Sequence, residues 1–308
     1  MQHMDHDAVM GLVPLVDCVE KPTPEWTAAD YIHISAGHFL EISGNLAVGR
    51  IRVDGMLRVN GVCRLSYDTI VVGMGGVLEI ESGAHLDCRT DTDIDVSTDP
   101  QLLSRGIVSM GALRVNGDTK TPRGFLSSGA VFGANEIHLD ERPDDWEVGD
   151  EIIICGTRYD GWVGSDHFPS QDERRMIVGF TDHTLFLNES LMFNHVGPRP
   201  DHWPVVVNMT RSVTFTVSDA NCPVHRRAHL MAMGETSIRG ASFHGFGRTD
   251  KSRDAVDATS LATVQADSNV KGRYGVHLHR NGFGETQRVS DVVIDGSPGW
   301  GIAHHDCA

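Results

Sequence analysis

Three short segments constrain the fold of this chain more than any other feature. Gly55-Met-Leu57-Arg-Val59, Gly76-Val-Leu78-Glu-Ile80 and Gly111-Ala-Leu113-Arg-Val115 share one pattern: a glycine, a leucine two residues on, and a β-branched residue two further. Side chains two apart on a strand share a face, so each segment reads as a short strand with one apolar side. The first interval is 21 residues and the second 35, the excess falling in the acidic stretch 89–101. Strands recurring in this way predict a solenoid-like stack, in which each rung buries its apolar face on the next. The pattern starts near Tyr31. Residues 1–30 lack periodicity and read as an N-terminal segment.

A second set of repeats lies at the other end. Tyr274-Gly-Val276-His277-Leu278-His279 matches Trp300-Gly-Ile302-Ala-His304-His305 at an offset of 26. Upstream, 227–234 aligns with the same histidine segment at an offset of 48, setting His229 on His277 and Met231 on His279. Residues 237–245 align with 288–296 at an offset of 51, with Phe243 on Ile294 and His244 on Asp295. If Val276 and Leu278 face a core, His277 and His279 face outward together, with His305 stacked one rung on, about 4.8 Å away. The chain stops inside this repeat, which predicts further rungs beyond it.

Between the two repeat regions, residues 124–203 have a different texture. Strands at 136–139, 151–155, 174–180 and 184–187, separated by Gly, Asp and Pro turns, predict a small antiparallel barrel or sandwich. Trp146 and Trp162 read as its packing anchors. The expected organisation is 1–30, a glycine-patterned β domain at 31–123, a barrel-like insert at 124–203, and parallel β-helix rungs at 204–308. The low aromatic content, 6% against 33 glycines, suits a mainly β chain of many short strands.

Charge and cysteine usage narrow the function classes. The formal charge is −16, yet residues 225–308 hold ten Lys/Arg against nine Asp/Glu, so the acidity lies in the first part of the chain. That balance argues against a generic nucleic-acid binder. Asp91, Asp93 and Asp95 alternate in the acidic stretch, which reads as a solvated loop or a calcium site without the EF-hand glycine and terminal glutamate. Six scattered cysteines form no CxxC pair and leave the redox compartment open. No signal peptide is visible at the start, and no apolar run is long enough to span a membrane. Sequons at Asn188 and Asn208 are compatible with secretion.

The segments LSYDTIVVGMGGVLEIESG, DDWEVGDEIIICGTRYD, VVVNMTRSVTF, HLMAMG and GRYGVHLH follow one another in an order that resembles the G-eight domain family, across residues 31–308. The family's last motif reads G-R-Y-P-[VI]-H-F-H. Here Gly272, Arg273, Tyr274, Val276, His277 and His279 match it, with Gly275 in place of the proline and Leu278 in place of the phenylalanine. A following T-I-H-G-T-like segment corresponds to AHHDC, with His305 on the histidine and His304 and Asp306 departing from it. The resemblance implies a glycine-patterned β domain followed by a right-handed parallel β-helix, and an extracellular or cell-surface location. It also implies hyaluronan depolymerisation in some members, although fibrocystin, another member, is not known as an enzyme.

His277, His279 and His305 are therefore the central candidates. Three imidazoles in reach of one another could ligate a metal, zinc being suited better than calcium, or exchange a proton, or grip sugar hydroxyls and carboxylates. Asp295 and Asp306 are the nearest carboxylates in the repeat alignment, as glycoside cleavage would need. Arg273 and Arg280 could pair with uronate carboxylates, while Tyr274 and Trp300 could stack on sugars or on each other. The polar excursion 248–271 should emerge beside the histidine strand. The leading expectation is a hyaluronidase-like protein cleaving an anionic glycan such as hyaluronan, by hydrolysis or by β-elimination with His279 as base and Arg273 as neutraliser. A non-catalytic glycan- or cell-surface-binding module and a structural stalk are the alternatives.

Overall fold

The computed structural model describes residues 6–158, 161–163, 166–197, 199, 202–260, 264–280 and 286–307. The side chain of Trp162, residues 261–263 of the excursion and residues 281–282 after the histidine strand fall outside that description.

The chain winds as a parallel β-solenoid with three strand-bearing faces. The first face is a sheet of seven parallel strands: Tyr31–Ile34, Arg50–Val53, Thr69–Val72, Gly106–Ser109, His229–Ala232, Val276–His279 and Ile302–His305. Its inward column is Ile32, Ile51, Ile70, Ile107, Leu230, Val276 and Ile302, in register from rung to rung. On the second face the recurring leucines stack as expected, Leu57 on Leu78 on Leu113. On the third, Leu86, Phe215, Phe243 and Ile294 follow one another, and the rings of Phe215 and Phe243 are parallel at 4.4 Å. Each such aliphatic or aromatic side chain contributes about 1.5–3 kcal/mol on burial, so the columns supply most of the driving force for stacking.

The glycine of the repeat has a steric cause. A Cβ at Gly76 would sit 2.1 Å from the Val53 carbonyl oxygen, and one at Gly111 would sit 2.2 Å from that of Gly73. The turn between the first and second faces presses each rung's backbone onto the one before it, and only a residue without a side chain fits. Gly234 takes the same place one rung later, 2.3 Å from the Gly111 oxygen, although Thr236 replaces the leucine.

Residues 31–118 and 211–308, read from sequence as lying in two domains bounded at 31–123 and 204–308, form one stack, while 119–123 and 204–210 belong to the insert. Gly106–Ser109 pairs directly with His229–Ala232, Ala112–Asn116 pairs with Thr236–His244, and a single apolar core runs through both. The compact unit comprises residues 1–118 and 211–308. One register also differs from expectation: Met231 lies opposite His277, an offset of 46 rather than 48. The slip of two preserves side-chain parity, so the faces are unchanged. The offset of 51 holds, with Phe243 on Ile294 and His244 on Asp295.

Residues 119–210 form the second unit. Its six antiparallel strands run in the order Arg123–Phe125, Val205–Asn208, Glu151–Ile154, Glu173–Phe180, Thr184–Leu187, Glu136–His138. A bridge between Leu126 and Leu139 brings the two edges together, as in a small barrel. Trp146 is buried in its core and donates from Nε1 to the Thr121 carbonyl. Asn208 is buried too, its amide donating to Asp150 at 2.8 Å, so this sequon is closed to glycosylation in the folded chain.

Candidate active site

Val276 and Leu278 enter the core, which turns His277 and His279 to the outer side of the first sheet. Strand pairing sets His279 directly on His305 and His277 on Ala303. The residues immediately after the two stacked histidines, Arg280 and Asp306, both adopt left-handed backbone with φ of 53° and 52°. They pair across the rungs at 3.6 Å. Two ordinary L-residues held at positive φ beside the histidines mark a backbone the surroundings over-determine, a feature that clusters at functional sites.

The outer face is covered here, contrary to the solvent-facing ladder that parity alone predicts. His277 retains 3% exposure and His279 9%. The cover comes from the excursion 248–271 and the acidic stretch, joined through a small apolar cluster of Ile94, Leu102, Ala258 and Val270. The acidic stretch is therefore partly packed. Its carboxylates also serve separate partners: Asp93 meets His225 and Arg226, Asp95 accepts from Ser97, and buried Asp99 accepts from the backbone of Leu103 and Ser104. They do not converge as a calcium loop would require.

Arg273 helps to build that cover and also lines the cavity beneath it. Its guanidinium donates to the backbone carbonyls of Gln101, Leu102 and Lys271, and burial lowers its pKa to about 10. Arg248 does the same for Leu102, Ser104 and Arg227, with burial lowering it to about 9. The Gln101 and Leu102 carbonyls, brought in from a distant loop, give Arg273 a packing role that its charge alone does not announce.

The three imidazoles converge. One ring nitrogen from each of His277, His279 and His305 lies within 4.8 Å of the others. His279 and His305 stack in parallel with Nδ1 atoms 3.4 Å apart. His277 Nδ1 lies 2.8 Å from the Gly272 carbonyl, while its Nε2 is buried without a hydrogen-bond partner. Burial drives the His277 pKa down to about 3, against the pull of that carbonyl. Burial, then the Arg280 cation, bring His279 to about 4. At neutral pH both rings are uncharged, so neither grips a carboxylate as an imidazolium.

These histidines line a cavity of about 390 Å³ together with Arg280, Asp306, Tyr274 and Trp300. Tyr274 and Trp300 pack on one another at 5.1 Å, and Lys251 Nζ lies 4.0 Å above the Trp300 ring. Asp295 is not part of this group: it lies on the other sheet system, 3.5 Å from His244. The cavity instead includes Asp257 and Lys271, which sequence reasoning passed over. Their only signal was their place in the polar excursion that precedes the histidine strand. The arrangement offers unprotonated nitrogen lone pairs, an aromatic wall and the side chains of Lys271, Arg273 and Arg280.

No family profile matches the chain. Protein rliB of Dictyostelium discoideum is 20% identical over 164 residues, covering 53% of this chain and 12% of that protein. Among solved structures, the Gp54 tailspike of Acinetobacter baumannii bacteriophage AP22, in complex with capsular saccharide, has a TM-score of 0.28 at 10% identity. It covers 84% of this chain and 41% of its own. The tailspike gp49 of Pseudomonas phage LKA1 has a TM-score of 0.27 at 10% identity over 83% of this chain and 41% of its own. These values carry no inference about substrate.

Proposed function

We propose that the histidine cavity binds and cleaves a uronate-containing polysaccharide, as a hyaluronidase-like member of the G-eight family would, at an extracellular or cell-surface location. The observation that carries this reading is the convergence of His277, His279 and His305 beside an aromatic pair in one cavity. Sugar rings stack on such faces, and Lys251 over Trp300 provides the positive charge for a uronate. The G-R-Y motif and its order with the other segments support the same reading.

The electrostatics narrow the chemistry. With His277 near 3 and His279 near 4, neither imidazole is a proton donor at neutral pH. That disfavours hydrolysis initiated by an imidazolium of either ring and leaves β-elimination or attack by an activated water. Incubation with hyaluronan, chondroitin, alginate and heparan chains at neutral pH, with mass analysis of the products, tests this. Shortened chains are expected, and an unsaturated uronate end identifies elimination. Intact chains from every glycan would overturn the enzymatic reading. Binding without cleavage would leave the module reading, which the Tyr274–Trp300–Lys251 arrangement also favours.

A further inference from the structure

We propose that His277, His279 and His305 form a three-imidazole site for a borderline transition-metal ion of the zinc class, with its open coordination position facing the cavity. The inference stands apart from the glycan reading, because it concerns what the lone pairs hold and not what the cavity cleaves.

The ring orientations carry the argument. His277 Nδ1 donates to the Gly272 carbonyl at 2.8 Å, which fixes the tautomer and leaves Nε2 as a bare acceptor. That nitrogen is buried in a residue only 3% exposed and has no donor. A buried acceptor without a partner is costly and needs an occupant, and one ring nitrogen from each of the three histidines lies within 4.8 Å of the others. The Nδ1 atoms of His279 and His305 face each other at 3.4 Å. Two imidazole nitrogens around one tetrahedral zinc, each at about 2.0–2.1 Å, lie about 3.4 Å apart. That pair is already spaced for an ion, and closure of His277 completes the set.

The outer contacts fit the same reading. A metal-bound histidine usually gives its other nitrogen to a carbonyl or carboxylate. His277 has the Gly272 oxygen, and His305 Nε2 faces Asp306 Oδ1 at 3.7 Å, held there by Arg280. An all-nitrogen, neutral donor set selects zinc or a similar ion over calcium, which takes oxygen ligands. Three protein ligands with one open position are the pattern of a catalytic site, not of a structural one. Bound there, the ion would supply positive charge to a uronate carboxylate or lower the pKa of a water.

The full chain, stripped with chelator and dialysed, is titrated with zinc chloride against a chromophoric competitor, and parallel samples receive calcium chloride. One zinc per chain is expected, with no calcium retained. His305→Ala, at an exposed position that tolerates truncation, should weaken zinc binding at least about 100-fold, and Asp306→Asn about 10-fold. His304→Ala, outside the cluster, should leave it unchanged. Cobalt substitution gives a second readout, a tetrahedral visible spectrum lost in His305→Ala. Wild-type protein that retains no zinc, or His305→Ala that binds zinc as tightly as wild type, would overturn the site. Zinc loading with no glycan cleaved would leave the site standing and remove only the glycan reading.

Discussion

The outer side of the first sheet is covered twice along its length, and the two coverings differ in kind. One column runs His33, Arg52, Val71, Val108, Met231, His277, Ala303 from rung to rung. In its middle, Val71 and Val108 are sealed by Val9, Leu12 and Val13 from the N-terminal segment and by Leu103, leaving a dry apolar cluster. At the histidine end the cover is polar loop, tied down by buried guanidiniums bonded to carbonyls, and a cavity remains beneath it. Apolar side chains close-pack because any gap forfeits contact energy. Loops held by directional hydrogen bonds can span a space without filling it. The same outer side thus carries a close-packed stretch and, at the histidine end, a hollow one.

The sharpest break in that comparison is His279→Ala. It should lower depolymerising activity by about 10²–10⁴-fold with the fold intact by circular dichroism, since His279 stacks on His305 and lies 4.8 Å from His277. Near-normal activity would move the chemistry off this face. At the sealed end, Leu12→Ala should cost about 2–5 kcal/mol in denaturant unfolding while leaving glycan cleavage per folded molecule unchanged. Loss of activity in the folded fraction would show that the two coverings are coupled.

Arg273→Ala sharpens the boundary between them. Removing a guanidinium that serves three backbone carbonyls, the Leu102 one buried, should lower stability by about 1–3 kcal/mol in the same unfolding experiment. A uronate-binding role would instead appear as a raised KM with unchanged stability. The smallest expected effect is on pH dependence at the junction. His229 is fully buried, and burial, then the Arg248 and Arg273 cations, hold its pKa well below the ordinary imidazole value. Its folded pKa lies beneath the unfolded value of about 6.5, so the unfolded chain binds the extra proton as pH falls. This contribution is fully present above about pH 6.5 and is lost progressively below it. Melting temperatures of metal-free protein should decline below that pH, and His229→Gln should flatten the decline.

Much of the solenoid was legible because its signals are local. A period-2 strand and a glycine at a tight turn are visible in five residues, and Leu57, Leu78 and Leu113 announce their stacking by spacing alone. Parity likewise put His277, His279 and His305 on one outer side, and the offset of 26 set His279 on His305. The union of 31–118 with 211–308 was hidden by the 119–210 insertion, which separates neighbouring rungs without disturbing their register.

What only the tertiary structure decided is what lies over that outer side. Composition marks 89–101 and 248–271 as polar, but their burial depends on Ile94, Leu102, Ala258 and Val270 meeting across more than a hundred residues. The same meeting draws Arg273 onto the Gln101 and Leu102 carbonyls and keeps His277 and His279 uncharged. Strand parity is a property of neighbouring residues and is written in the sequence. Desolvation belongs to whatever chain arrives from elsewhere, and only the assembled fold specifies it.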